Sequence, residues 1–543
     1  MHTTTTSRPW LQSYPDGVPA TIEPHGTLVD LLDSSFQQYA SRHAALFLNQ
    51  AITFRAIDEQ SVALGAWLQG RGLARGARIA LMMPNLPQYM VAIAAVLRAG
   101  YVVVNVNPLY TPRELQHQLV DSGAEAIVIL ENFAATLEEV IDQTSVKHVV
   151  LVAMGDMLPL WRRHLVNFVV RHVRKMVPEF RLPAGNGRNV TRFNDAVEQG
   201  SRSKLARAAV TPDDIAFLQY TGGTTGVSKG ATLLHRNVVA NIQQSEAWFQ
   251  PMLNRLGNQQ MTGVCALPLY HIFALTISFF LGARMGQRLI LIPNPRDLPA
   301  LIGALKGHRI HMFPAVNTLY NALAHNAEFG RLDFSQLVVS NGGGMAVQKA
   351  TAEKWLKVTG CPIAEGYGLS ETSPVATANR IDLKEFTGTI GLPVPSTDIA
   401  IRDDDGQDVP LGQPGEICIR GPQVMAGYWN RPDETAQVMT ADGYFKSGDI
   451  GIMDERGYCR IVDRKKDMIL VSGFNVYPTE IEQVVSLHPG VLECAAVGIP
   501  DERTGEAVKL FVVKEDPGLS EEDLAAYCKE NFTAYKRPKH IEF

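Results

Sequence analysis

The sequence predicts an α/β protein: a large N-terminal α/β region carrying a β-rich subdomain, then a small α+β C-terminal domain. Three observations predict it. The chain has 543 residues, and a single hydrophobic core stops growing at roughly 250–300 residues. Its first half alternates short apolar runs with segments of helical period. From about residue 385 that texture gives way to short strands separated by Gly/Pro turns, the pattern of a β-rich layer.

In the first half, the runs ARIALMM (77–83), YVVVNV (101–106) and AEAIVIL (124–130) read as buried strands. The helix between the last two is punctuated at both ends. Thr111 is set to cap it, Pro112 to open it, Glu114 to complete a capping box and Gly123 to stop it. Strand–helix–strand at this spacing implies parallel pairing. The Gly/Pro-punctuated stretch at about 385–463 supplies the β-rich subdomain. Strands at 458–462 and 468–471 follow, then a helix from Pro478 to about Leu487 with Glu480 and Glu482 near its positive end. The boundary falls near 463–466, giving domains 1–463 and 464–543. There are no internal repeats.

Apolar residues make up 46% of the chain and charged residues 19%, the proportions of a soluble globular protein. A formal net charge of -5 carries no footprint of nucleic-acid binding, so no such partner is expected. The six cysteines lack CxxC spacing or paired histidines, which argues against zinc and against a disulfide framework. No apolar segment follows Arg8, so no signal peptide is expected, and no unbroken apolar run is long enough to span a bilayer. The expected location is the cytoplasm.

One stretch has a different character. Residues 159–178 place Trp161, Leu165, Phe168, Val169, Val173 and Met176 at helical spacing among Arg162, Arg163, Arg171, Arg174 and Lys175, with no acid between Asp156 and Glu179. Two readings stand. Such a helix can lie on anionic membrane, making the protein peripheral on the inner face of the cytoplasmic membrane. It can equally pack on the core and leave a solvated basic face.

The chemistry-bearing segments are spread along the chain. YTGGTTGVSKG (220–230) lies between two apolar runs, so it is a loop between strands. Its glycines let backbone amides turn inward, its hydroxyls can donate to phosphate oxygens, and Lys229 adds a charge. The spacing is neither Walker A nor G-x-G-x-x-G. SNGGGM (340–345) permits close backbone approach to a flat ligand. EGYGLSET (365–372) offers Tyr367 as an aromatic face and Glu371 as a hard oxygen ligand suited to Mg²⁺. YFKSGDIG (444–451) supplies Asp449, and RIVDRKKDMILVSGFNVYPTEIE (460–482) supplies Arg464 in a basic turn. The apolar segment LPLYHIFALTISFF (267–280) contains no Asp or Glu. Within it His271 is either a functional group or a satisfied core histidine.

Together these segments resemble the adenylate-forming superfamily over nearly the whole chain and in the family's order. NVNPLYTPRELQHQL, LQYTGGTTGVSKGA, ALPLYHIFALT and DRKKDMILVSGFNVYPTEIE resemble bacterial long-chain fatty-acid–CoA ligases in particular. The resemblance implies ATP, Mg²⁺ and coenzyme A acting on a fatty acid. It assigns the pyrophosphate part of ATP to Thr221, Thr224, Thr225 and Lys229, adds Tyr220, Gly222, Gly223 and Gly226 of the same segment to the cofactor-binding set, and makes the acid-free segment 267–280 an acyl pocket for an unsubstituted tail. Adenine falls to Tyr367 and the backbone of Gly342, Gly343 and Gly344, with Glu365, Gly368 and Ser370 completing the nucleotide site. Mg²⁺ falls to Glu371, and the ribose to Asp449 and Arg464. Lys466 becomes the hinge of a mobile C-terminal domain, and Ser472 and Gly473 line the pantetheine channel. Thr225, Lys229, His271, Glu371 and Lys466 form the catalytic set. Ser370 stands where the family usually has Thr.

The resemblance also implies a Gly-Lys motif whose lysine bridges carboxylate and phosphate. Its segment is expected just beyond Phe543, and Lys536 and Lys539 precede it, so this chain is expected to bind nucleotide but to form adenylate poorly. Other readings remain open: delivery to a different thiol acceptor, a reaction that stops at acyl-AMP, or a non-enzymatic lipid-binding membrane protein. Acyl chain length and a homodimeric assembly are left open as well.

Overall fold

The computed structural model describes residues 8–182, 188–221, 228–472, 474–501 and 503–543. The largest sheet has eight strands. At its middle lies Arg78–Met82, with Val102–Asn105 parallel on one side and Ala126–Leu130 parallel on the other. The two strands joined by the capped helix are therefore not neighbours, because the earlier strand is inserted between them. The helix itself runs Pro112–Ser122 with the reciprocal Thr111–Glu114 box, and Gly123 ends it in the left-handed region at φ 60°. His148–Val152 and Asn189–Arg192 extend the sheet in parallel on one flank. On the other, Ile215–Thr221 is parallel to Val102–Asn105, and Lys229–Leu234 and Gly427–Tyr428 close the edge antiparallel.

Every residue of the helix Pro87–Arg98 is buried against this sheet. A cation so enclosed needs partners, and the Arg98 guanidinium lies 2.6 Å from both Asp33 and Asp58. Two four-stranded sheets pack beside the first: Thr262–Cys265, Arg288–Leu291, His43–Phe47 and Gln50–Thr53 in one, and Ser340–Gly342, Ile363–Gly368, Val375–Ala378 and Leu392–Pro393 in the other. The β-rich layer is an all-antiparallel sheet of Asp398–Arg402, Gly415–Arg420, Phe445–Met453 and Cys459–Arg464. Its apolar face joins the main core, which also holds Leu97, Phe217 and Phe280.

Beyond it, Ile469–Val471, Phe474–Val476, Val491–Asp501, Gly505–Lys514 and His540–Glu542 make a fifth sheet. The helices Pro478–Val485 and Glu521–Asn531 pack on it around a separate cluster that includes Ile481, Leu510 and Leu524. One polar clasp crosses between the last two sheets. Asp463, at the end of the β-rich layer, accepts from the Thr479 amide at 3.0 Å, at the start of the helix Pro478–Val485. A carboxylate there satisfies an orphan donor and meets the positive end of the helix.

The basic segment forms a helix over Leu160–Phe168, continued by a wider π turn over Val169–Val173. It does not pack its apolar row on the core. Asn167 and Val170 face inward, whereas Trp161, Leu165, Phe168, Val173 and Met176 face solvent. The inward position is fixed by Arg171, which donates to both carboxylate oxygens of the buried Glu131 at 2.8 and 3.0 Å.

Asp463→Ala removes the clasp at a cost of about 1 kcal/mol of docking. Limited trypsin cleavage at Arg464, Lys465 and Lys466 should accelerate about fivefold, with little change in the main melting transition. An unchanged cleavage rate would show that other contacts seat the C-terminal part.

Candidate active site

A cavity of about 1950 Å³ opens between the larger part and the C-terminal sheet. Its wall gathers Thr221, Lys229, His271, Gly342, Gly343, Gly344, Glu365, Tyr367, Gly368, Ser370, Glu371, Asp449, Arg464 and Lys466. Tyr220 and Ser472 stand outside that wall. The Tyr220 hydroxyl is committed to Asp121 at 2.6 Å, and the Ser472 amide donates to Thr504 O at 2.7 Å. Gly222, Gly223, Thr224, Thr225, Gly226 and Gly473 lie outside the described residues.

Antiparallel register sets Thr221 opposite Lys229, so the strands Ile215–Thr221 and Lys229–Leu234 form a hairpin near the sheet edge. Asp121, at the end of the capped helix, pins the base of this hairpin. It accepts from the Tyr220 hydroxyl and from Arg431 Nη2 at 3.0 Å, while its carbonyl accepts from Trp429 Nε1 at 3.1 Å. Lys229 ion-pairs with Glu434 on the adjoining helix Pro432–Val438, and its ammonium lies 5.5 Å from the centre of the Tyr428 ring.

Several acids line this wall, and Glu365, Glu371 and Asp449 each have their own partner. Glu371, on the turn Ser370–Thr372, accepts from the Tyr428 hydroxyl at 2.7 Å. Asp449 accepts from the Tyr367 hydroxyl at 2.6 Å and lies 3.6 Å from Arg464. Burial raises the pKa of both carboxyls, opposed by these hydrogen bonds. Glu365 accepts from the Val347 amide at 2.9 Å, and burial pushes its carboxyl from an ordinary 4.5 up to about 8. It is therefore largely protonated at neutral pH and supports the glycine loop from beneath as a neutral acid.

That loop, Gly342 to Gly344, forms one side of a flat slot. Gly344 takes φ +80°, and a Cβ on Gly343 would stand 3.0 Å from the Phe273 ring and 3.1 Å from Gly366 O. Tyr367 lines the same slot. Gly368 is required by close approach, since a Cβ there would come within 1.8 Å of Pro374 O.

The cavity extends into an apolar arm lined by Trp248, Phe249, Ile272, Phe273, Ile277 and Val375. The segment 267–280 thus divides: Leu267, Leu269, Phe279 and Phe280 go into the core, and His271 to Phe273 and Ile277 face the cavity. A chain of buried amides positions it. Asn105 Nδ2 donates to Gln219 Oε1 at 2.9 Å, and Gln219 Nε2 donates to Tyr270 O at 2.9 Å. His271 is not a core histidine. It is exposed on the cavity wall, its Nδ1 accepts from the Phe273 amide at 3.2 Å, and desolvation by the surrounding walls lowers its pKa.

Sequence reasoning missed Tyr428, Glu434 and Asp121. The pair Tyr428–Trp429 just ahead of Arg431 and Glu434 was the available signal, but its link to Lys229 exists only through the sheet-edge pairing of Gly427–Tyr428 with Ala231 and Thr232. Lys536 pairs with Glu480 at 2.7 Å and Lys539 with Asp501 at 2.8 Å, so neither reaches into the cavity wall. Among the described residues no three His, Cys, Asp or Glu side chains gather as a metal cluster. A single hard carboxylate such as Glu371 would suit a cation that keeps most of its ligands from water and phosphate, as Mg²⁺ does.

The family model for AMP-binding enzymes matches residues 32–429, and that for the AMP-binding enzyme C-terminal domain matches residues 480–543. Long-chain-fatty-acid–CoA ligase from Escherichia coli O6:H1 is 53% identical over 98% of this chain and 94% of its own length. The ligase of the same name from Bacillus subtilis is 36% identical over 99% and 94%. Among solved structures, ATP-bound MatB from Rhodopseudomonas palustris superposes with a TM-score of 0.78 at 26% identity, covering 95% of this chain and 94% of that one. The anthranilate CoA ligase AuaEII, in complex with anthranoyl-AMP, shares the fold with a TM-score of 0.81 at 23% identity, covering 96% and 94%.

Two measurements follow from this geometry. Glu434→Gln releases the Lys229 ammonium, so inorganic pyrophosphate should bind about 2–5-fold more tightly by calorimetry; equal affinity would mean that Lys229 is already free to act. Glu365 holds a proton in the folded state between about pH 4.5 and 8 that the unfolded chain releases. Its contribution to stability is therefore greatest at low pH and is lost as pH rises through that window. The wild-type Tm should fall across it more steeply than that of Glu365→Gln, and parallel curves would assign the proton elsewhere.

Proposed function

The chain belongs to the AMP-binding enzyme family, and from that premise we propose how its cavity performs the ligase reaction. The protein is a fatty-acid–CoA ligase: ATP activates a medium- to long-chain fatty acid as acyl-AMP, and coenzyme A then receives the acyl group. The observation that carries the site assignment is a single cavity in which an apolar arm meets a polar wall holding Lys229, Glu371 and the Tyr367–Asp449 pair.

A carboxylate resists nucleophiles because it is charged and would have to expel oxide. Attack of its oxygen on the α-phosphorus of ATP forms a carboxyl–phosphate bond as the bond to pyrophosphate breaks. AMP becomes the leaving group for the thiol that follows. Two anions must meet for this, so the protein's task is positioning and charge neutralisation. The apolar arm receives the tail, and its walls, without an acid in 267–280, suit an alkyl chain. Tyr367 and the loop Gly342, Gly343 and Gly344 hold adenine, with Glu365, Gly368 and Ser370 shaping that slot. Asp449 and Arg464 fix the ribose. Thr221, Thr224, Thr225 and Lys229 take the pyrophosphate part. Glu371 would hold Mg²⁺, which supplies charge neutralisation at the phosphates when bound. His271 borders the arm beside the reacting carboxylate.

Residues 464–543 act as the mobile domain, with Lys466 as the hinge and Ser472 and Gly473 in the pantetheine channel. Support comes from their separate apolar cluster, joined to the larger part through the Asp463–Thr479 clasp. Because a fatty acid partitions into bilayers, peripheral contact with an anionic membrane belongs to the same reading.

Incubation with fatty acid, Mg·ATP and CoA should yield acyl-CoA, AMP and pyrophosphate; ADP with phosphate would overturn the adenylate route. Glu371→Gln keeps a partner for Tyr428 but loses the anionic ligand. Adenylate formation should drop about a hundredfold or more with Tm nearly unchanged. Near-normal turnover with intact Mg²⁺ dependence would remove Glu371 from this role.

A further inference from the structure

The helix Leu160–Phe168 and its π turn are folded inside out relative to an ordinary surface helix. Leu160, Trp161, Leu165, Phe168, Val173 and Met176 are 51% to 68% exposed, while the polar Asn167 is turned inward and accepts from the Gly155 amide at 2.7 Å. The arrangement is held firmly. Arg171 and Arg192 both close on Glu131, which is 2% exposed, and Asn132 Nδ2 donates to Met176 O at 2.9 Å. Arg162 Nη2 donates to Leu48 O at 2.5 Å, which brings the hairpin residue Leu48, itself exposed, to the edge of the same patch. Large apolar side chains fixed in water in one row mark a docking surface.

We propose that this row, rimmed by Arg162, Arg163, Arg174 and Lys175, is where the protein rests on a bilayer carrying anionic lipids. Charge selects that occupant. No acid interrupts the sequence between Asp156 and Glu179, so the rim complements a negative surface, and apolar side chains with basic flanks are the composition that enters the headgroup boundary. A second copy of the chain would set this basic rim against its own equivalent. The inference rests on the ligase reading only in that a bilayer-borne fatty acid gives the contact a use.

The test is sedimentation with vesicles of phosphatidylcholine alone or mixed equally with phosphatidylglycerol. Three proteins are compared: wild type, Trp161→Ser/Leu165→Ser/Phe168→Ser, and Arg162→Gln/Arg163→Gln/Arg174→Gln/Lys175→Gln. Arg171 is left intact because its loss would strand Glu131. All the changed apolar side chains are exposed, and unchanged melting curves confirm intact folds. Wild type should partition onto the anionic vesicles, more weakly as salt rises. Each variant should lose about tenfold or more, while all three form acyl-CoA equally from a short, water-soluble acid. Wild-type binding no better than that of the variants, or binding indifferent to lipid charge, would overturn the proposal. A wild-type dimer that the serine variant dissolves would overturn it in favour of a second copy. Lack of acyl-CoA from every protein would count against the ligase reading alone, since vesicle binding is scored without turnover.

Discussion

The site depends on keeping carboxyl groups in one cavity wall at positions shielded by the fold, Glu365, Glu371 and Asp449 among them. Glu365, Glu371 and Asp449 are all nearly buried, and uncompensated burial of a charge is costly. Each is relieved differently: Glu365 by remaining protonated against a backbone amide, Glu371 by the Tyr428 hydroxyl, and Asp449 by Tyr367 with Arg464 nearby. Tyr428, Tyr367 and Arg464 come from strands in three different sheets, so these contacts exist only once the sheets have packed. The residues that hold nucleotide in the proposed reaction are thus among those that fasten the layers together.

The phosphate side is arranged by the same logic with opposite charge. Lys229 is not left as an open cation but is paired with Glu434. In the proposed reaction an incoming polyphosphate would have to displace that carboxylate, which would weaken retention of the anion. A ligase that releases pyrophosphate each turnover benefits from such a counterweight, because an anion held too tightly would limit the cycle. The C-terminal part is separated by its own core and joined across by few polar contacts such as Asp463–Thr479. In the proposed cycle that division allows one set of residues to serve adenylation and another to serve the thiol.

The outward apolar row of the helix Leu160–Phe168 carries a local cost in exposed Trp, Leu and Phe surface. A fold that fixes such a row in place with a bidentate Arg171–Glu131 clamp has not simply failed to bury it. The sequence pattern was ambiguous here because hydrophobic periodicity reports that one face is apolar and not which way that face points.

Much was legible in the sequence where the cause is local. The helix Pro112–Ser122, its cap and its stop followed from Thr111, Glu114 and Gly123, since these act within one turn of their own backbone. The parallel strands followed from apolar runs, and the strands on either side of the segment 220–230 from the apolar runs that flank it. Residue types in a recurring order also pointed to the chemistry. What only the tertiary structure decided is everything that needs two distant segments at once: the insertion of Arg78–Met82 between its flanking strands, the split of 267–280 between core and cavity, the pairing of Lys229 with Glu434, and the outward turn of the row at Trp161. Propensity and periodicity are properties of neighbours along the chain, whereas pairing, burial and pKa arise from contacts between parts of the chain that the sequence alone does not bring together.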